Sequence, residues 1–271
     1  MMMERTYTYK TVGSCNIQAD VYRLEDELIR PVIVWVHGGC LMRGSRMDIR
    51  SRGLMSYVNE GYTVVSIDYR LAPEVKLKSI IEDLQDAIRW VREQGPDLFQ
   101  IDSDRMAVIG SSAGGYLTLM SGFCVEPRPL ALVSLFGYGD IAGKWYAEPD
   151  AYYCQMPPVS REENLYIYCR QNGLWPNIVV GHDPKTEPRA FDAFCPIRNV
   201  TLDYPPTLLL HGEEDTDVPI EQSIIMQAEL SRVGVDNEFV RYPGEGHGLD
   251  ESYSDAVAKA LLFLKKHIHF N

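Results

Sequence analysis

Residues 31–36 read Pro-Val-Ile-Val-Trp-Val, an apolar run rich in β-branched side chains. Such a run offers no face to water, so it predicts a strand buried on both sides. Residues 62–67, 105–109, 130–136 and 207–210 read the same way. Between these runs the spacing of apolar positions changes. Ile80, Ile81, Leu84, Ile88 and Val91 fall on one helical face, as do Val257, Leu261, Leu264 and Ile268 near the end. Residues 116–123 and the stretch from Glu221 also read as helical. Buried strands alternating with amphipathic helices predict an α/β architecture, a mostly parallel sheet with helices on both faces. Residues 5–10 and 16–23 alternate apolar with polar positions instead, which predicts an antiparallel edge.

The rhythm breaks once. Between Phe136 and Thr207 lie about 65 residues, far beyond an ordinary connection. No repeat, low-complexity tract or linker divides the chain, so residues 1–271 read as a single domain with an insertion at about 138–204. The insertion holds Trp145, Tyr146, Tyr152, Tyr153, Tyr166, Tyr168 and Trp175. Long insertions on α/β folds sit near the site, so it is expected to form a lid with its aromatics facing the substrate. The competing reading is an excursion whose aromatics pack a small core of their own.

Composition narrows the partners. Thirty-eight acidic against 26 basic side chains give a net charge of −12. That balance disfavours nucleic acid and anionic membrane surfaces, which need clustered Lys and Arg. Neutral or cationic small molecules and neutral polymers remain. No apolar run approaches the roughly 20 residues of a membrane span, and the first ten residues lack the apolar stretch of a secretory signal. Cys15, Cys40, Cys124, Cys154, Cys169 and Cys195 show no metal-ligand spacing. In a chain of this length they read as free thiols, hence a cytoplasmic protein with no metal.

Gly110-Ser111-Ser112-Ala113-Gly114 stands between the 105–109 strand and the 116–123 helix. A strand-turn-helix context makes Gly-x-Ser-x-Gly a nucleophile elbow, because the turn is too sharp for side chains at its flanks. Ser112 is therefore the candidate nucleophile, and it needs a base. Of the six histidines, His267 and His269 sit on the last helix, two apart, and so share no face. His182 lies in the insertion, His37 opens a glycine turn, and His211 ends a strand before Gly212. His247, in the loop Gly244-Glu245-Gly246-His247-Gly248, remains as the base. A carboxylate must orient it, and the acid-rich turn 213–217 offers Asp215 or Asp217. His37-Gly38-Gly39-Cys40 follows the first long strand, where backbone N–H groups can meet a reacting carbonyl.

With these stretches, the chain resembles the serine esterases and lipases of the α/β-hydrolase fold, in particular the hormone-sensitive-lipase-like and bacterial esterase branch. The resemblance is carried by His37-Gly38-Gly39, Asp68-Tyr69-Arg70-Leu71-Ala72-Pro73-Glu74, Ser111-Ser112-Ala113-Gly114-Gly115, Gly212 to Pro219, and Gly246-His247-Gly248. It implies Ser112 as nucleophile, His247 as base and Asp215 as acid, through the pattern Gly-x-x-Asp-x-x-Val-Pro. It further implies oxyanion donors at the backbone of Gly39, Cys40 and Ala113, and a purely structural turn at 68–74. Cys40 replaces the third glycine of the branch, and Ser111 stands where an acid is usual. The short lead-in before residue 31 leaves no room for an N-terminal helical cap. The resemblance thus shifts toward compact acetyl, feruloyl and formamidase-like esterases.

The expected activity is hydrolysis of carboxylic esters of small acyl groups or aromatic acids, through an acyl-enzyme and without a cofactor. A peptidase or amidase with the same triad, and a non-catalytic ligand-binding member of the fold, are the alternatives. Oligomeric state is left open. A neutral histidine base predicts activity falling as pH drops through about 6 to 7. Asp217, next to Val218-Pro219, is expected to order the helix start by capping or turn bonding.

Overall fold

The computed structural model describes residues 1–268, so His269 lies outside the described residues. Among these, eight strands form one sheet: β1 (Met2–Val12), β2 (Cys15–Leu24), β3 (Arg30–Val36), β4 (Thr63–Ile67), β5 (Ile101–Ser111), β6 (Ala131–Leu135), β7 (Thr207–Gly212) and β8 (Asn237–Tyr242). Their order is β1-β2-β4-β3-β5-β6-β7-β8. β1 pairs antiparallel with β2 and β2 with β4, while the remaining pairs are parallel. The antiparallel edge is where the alternating N-terminal stretches place it.

Helices α1 (Leu54–Asn59), α2 (Leu77–Phe99), α3 (Ala113–Cys124), α4 (Lys144–Ala147), α5 (Leu165–Asn172), α6 (Trp175–Val179), α7 (Glu221–Val233) and α8 (Tyr253–His267) cover the sheet and its end. None is long and apolar enough to cross a membrane.

The β-branched runs serve both faces at once. Val32, Val34 and Val36 join the core that contains Ile80, Leu84 and Ile88 of α2, while Ile33 and Trp35 join the core that contains Tyr57 of α1 and Phe263 of α8. Successive side chains point to opposite faces, so a strand with helices on both sides has no polar position to spare. Fully burying each such side chain stabilises by about 1.5–3 kcal/mol. β8 shows why one strand lacked this signature. It lies at the sheet edge, and Glu238 and Arg241 interrupt its apolar positions.

The insertion corrects the expectation for its aromatics. Trp145 stacks on Tyr146 at 3.6 Å between centroids, Tyr146 on Trp175 at 4.0 Å, and Tyr138 meets Trp145, Tyr146 and Trp175 edge-on. Such pairs contribute about 0.5–1.5 kcal/mol each beyond the area they bury. The buried aromatics thus join the core that also holds Val32, Val34 and Ile80, and of the seven expected to face substrate, Tyr166 lines the cavity described below. Arg170 of α5 is buried among these rings, with its guanidinium within 5.8 Å of four ring centroids. Its charge is balanced by Asp150 at 2.6 Å and Asp217 at 3.2 Å, as a buried cation requires.

Candidate active site

β5 ends at Ser111 and α3 begins at Ala113, leaving Ser112 alone at the turn with φ 56° and ψ −120°. A Cβ at Gly110 would stand 2.3 Å from the Gly114 carbonyl oxygen, and one at Gly114 would stand 2.0 Å from the Val36 carbonyl oxygen. The glycines are therefore steric necessities of the elbow. Ser112 N–H donates to Leu135 at 2.9 Å and its carbonyl accepts from Tyr116 at 3.0 Å, so neighbouring elements hold the strained residue.

The loop after β8 brings His247 to the serine. Nε2 lies 3.1 Å from Ser112 Oγ, and Nδ1 lies 2.8 Å from Asp215 Oδ2. With Asp215 ionised, Nδ1 carries the proton and donates, which leaves Nε2 as the acceptor facing the serine hydroxyl. Phe136 packs edge-on against the imidazole at 4.9 Å. Asp215 is itself immobilised: Oδ1 accepts from the N–H groups of Asp217 and Val218, both at 2.8 Å. Burial alone would raise its carboxyl, but hydrogen bonds from His211 and His247 outweigh that and hold it well below the ordinary range.

His211 was set aside as the end of a strand, and the structure places it directly behind the acid. Its Nε2 donates to the Val218 carbonyl at 2.9 Å and lies 3.2 Å from Asp215 Oδ2, while Nδ1 meets Ser223 Oγ at 2.7 Å. Two imidazoles therefore share one carboxylate oxygen. The cue in the sequence was a histidine four residues before Asp215, close enough in a turn to reach it.

The turn at 68–74 braces the glycine loop and stands outside the cavity lining. Arg70 donates to the buried Asp83 of α2 at 2.7 and 2.8 Å, and Asp68 accepts from Arg46 at 2.6 Å. Tyr69 hydroxyl donates to the His37 carbonyl at 2.9 Å while its ring stacks on His37 at 4.1 Å. That fixes the segment leading to Gly39 and Cys40. Cys40 has φ 54°, so a side chain occupies a left-handed position that glycine would fill without strain. Trp175 of the insertion donates to its carbonyl at 3.3 Å. Burial pushes the Cys40 thiol up to about 12, so it stays protonated beside the serine. The N–H groups of Gly39, Cys40 and Ala113 find no acceptor among the described residues.

A cavity of about 350 Å³ opens over this cluster. Ser112, His247, Gly39, Cys40, Trp35 and Phe136 line it, and Arg43, Asp48, Arg52 and Asp217 add charge. Asp217 departs from its expected role. Helix α7 begins behind Ile220 with no side-chain cap, and the Asp217 carboxylate turns toward the insertion and the cavity. Among the described residues no group of three or more His, Cys, Asp or Glu side chains is arranged to hold a metal ion.

Comparison with known proteins bears on the fold. The family model described as BD-FAE matches residues 20–131, and that of the prolyl oligopeptidase family matches residues 138–270. Esterase 2 of Thermogutta terrifontis, in a form phosphoramylated by tabun, matches with a TM-score of 0.75 at 21% identity, covering 99% of this chain and 97% of that one. The chain has the α/β-hydrolase fold. A Staphylococcus aureus protein of unknown function shares the α/β-hydrolase fold with it at a TM-score of 0.77 and 22% identity, covering 98% and 100% of the two chains. Esterase LipC of Mycobacterium tuberculosis is 29% identical over 267 residues, which is 92% of this α/β hydrolase and 62% of LipC. The polyketide synthase Preu6 of Preussia isomera is 33% identical over 96% of the chain, which spans 14% of that much longer protein.

Proposed function

We propose that this α/β hydrolase cleaves carboxylic esters through a serine acyl-enzyme. The observation that carries the reading is the unbroken chain from Ser112 Oγ through His247 to Asp215, at 3.1 and 2.8 Å. Ser112 Oγ attacks the carbonyl carbon as its proton passes to His247 Nε2. The negative oxygen is met by the N–H groups of Gly39, Cys40 and Ala113. The bond to the alcohol oxygen then breaks, and that oxygen takes the proton from His247. Water repeats the sequence in reverse roles, giving its proton to His247 and releasing the acid as Ser112 regains its hydrogen. Asp215 stays ionised throughout, holding the imidazole and balancing its positive charge.

In this reading the 138–204 insertion is the cover of the site, with Tyr166 on its inner wall and Trp175 tied to the oxyanion loop. A cavity of about 350 Å³ suits small acyl groups. Acetyl to butyryl esters are expected to exceed decanoyl esters in kcat/KM by at least about tenfold, since excluding even one methylene is worth about 1–3 kcal/mol. An ester series run beside an aminoacyl-arylamide tests both points. Faster turnover of decanoyl esters would overturn the short pocket. Preference for the arylamide would favour the peptidase reading, which the prolyl oligopeptidase match supports. Six free cysteines support a reducing compartment, the cytoplasm, as its location.

The pH dependence follows from His247. Burial pulls its imidazole down, but the bond to Asp215 and the charges of Asp215 and Asp217 outweigh burial and raise it, against an opposing contribution from Arg52. A raised imidazolium persists to higher pH, and the base works only when neutral. Activity is therefore expected to fall with decreasing pH through a midpoint above the ordinary value of about 6.5. A kcat/KM profile flat down to pH 5 would exclude a histidine base.

A further inference from the structure

Asp217 connects two parts of the molecule that the reaction scheme treats separately. Its Oδ1 accepts from the hydroxyl of Tyr153 at 2.7 Å and from the hydroxyl of Tyr166, and lies 3.2 Å from Arg170 Nη1. Arg170 Nη1 also donates to the Asp217 carbonyl at 2.8 Å. All three partners come from the insertion. Asp217 Oδ2 lies 3.5 Å from His247 Nε2, the nitrogen that also meets Ser112.

We propose that Asp217 is a positioning residue that sets the basicity of His247 and makes it depend on the docked insertion. The proposal rests on the reading of His247 as the base. The imidazole stands between two carboxylates, Asp215 at Nδ1 and Asp217 near Nε2. Once the serine proton reaches Nε2, the imidazolium lies 3.5 Å from the Asp217 Oδ2 charge, which favours it. The donors gathered on Oδ1 draw charge toward the insertion and temper that effect.

The other groups facing His247 are Arg52 before α1, which disfavours the cation, and the uncharged Ser112 and Phe136. His211 acts at one remove, through Asp215. Removing the Asp217 charge should therefore lower the titration of His247. Removing a donor from Oδ1 while the charge stays should raise it.

The test is titration of the histidine rings by NMR in the full chain, with the His247 signal identified by its loss in His247→Gln. Asp217→Asn is expected to shift that titration to lower pH, and Tyr153→Phe to shift it to higher pH. The acid limb of ester hydrolysis should move in the same two directions. A His247 titration at the wild-type pH in folded Asp217→Asn overturns the proposal, because a merely structural Asp217 would change melting temperature alone. If that variant does not fold, an unmoved titration in Tyr153→Phe overturns it equally. The NMR measurement needs no turnover, so inert wild-type protein showing both shifts would refute ester hydrolysis and retain the coupling.

Discussion

Ser112→Ala is expected to abolish ester turnover, with kcat falling by about 10⁶-fold, the scale on which removing the nucleophile acts in a serine hydrolase. The size follows from the geometry. His247 Nε2 faces Ser112 Oγ and no other hydroxyl at hydrogen-bond distance among the described residues, so the base then has no proton to accept. Ser111 stands next in the chain and also lines the cavity, but it ends β5 and lies outside the strained turn. Mass spectrometry after treatment with a fluorophosphonate checks the assignment independently of any ester. Wild type should gain one adduct at Ser112, and Ser112→Ala should gain none. An adduct on the alanine variant, or one mapped to Ser111, would overturn it.

Asp215→Asn is expected to lower kcat by about 10⁴-fold while leaving the fold intact. The introduced carboxamide can keep its carbonyl oxygen for the N–H groups of Asp217 and Val218, so the turn survives. Its amide nitrogen then points a donor at His247 Nδ1 in place of an acceptor. The imidazole must protonate at Nε2 instead, and the nitrogen facing Ser112 can no longer take a proton. His211 loses the same ionised partner. Steady-state kinetics together with a thermal melt check this: near-silent but folded protein is the expected result. Full activity in Asp215→Asn would transfer the role to Asp217.

The two acids show where sequence reasoning stops. Both lie on one turn after β7; residue type and alternation treat them alike, and only the resemblance, through Gly-x-x-Asp-x-x-Val-Pro, favoured Asp215. They differ in what their oxygens meet. Main-chain N–H groups seize Asp215 Oδ1 and aim Oδ2 at His247 Nδ1, whereas Tyr153, Tyr166 and Arg170, 47 to 64 residues away in the chain, hold Asp217 Oδ1 and leave Oδ2 on the Nε2 side, 3.5 Å away. The insertion illustrates the same limit. Its aromatics were compatible with a substrate wall or a private core, and the structure instead stacks Tyr146 between Trp145 and Trp175 as part of the core shared with β3 and α2.

What the sequence determined by itself is whatever depends on local backbone and burial. The continuous apolar runs dictated a parallel sheet covered on both faces, because such strands survive only with no side open to water. Gly110 and Gly114 dictated the elbow at Ser112, because no side chain fits there. Tertiary structure alone decided that His211 stands behind Asp215, that Asp217 reaches toward the insertion, and that Arg170 ties the insertion to the loop carrying the acid. Those outcomes depend on the direction of side chains, and partners far apart in the chain set that direction once packing brings them together.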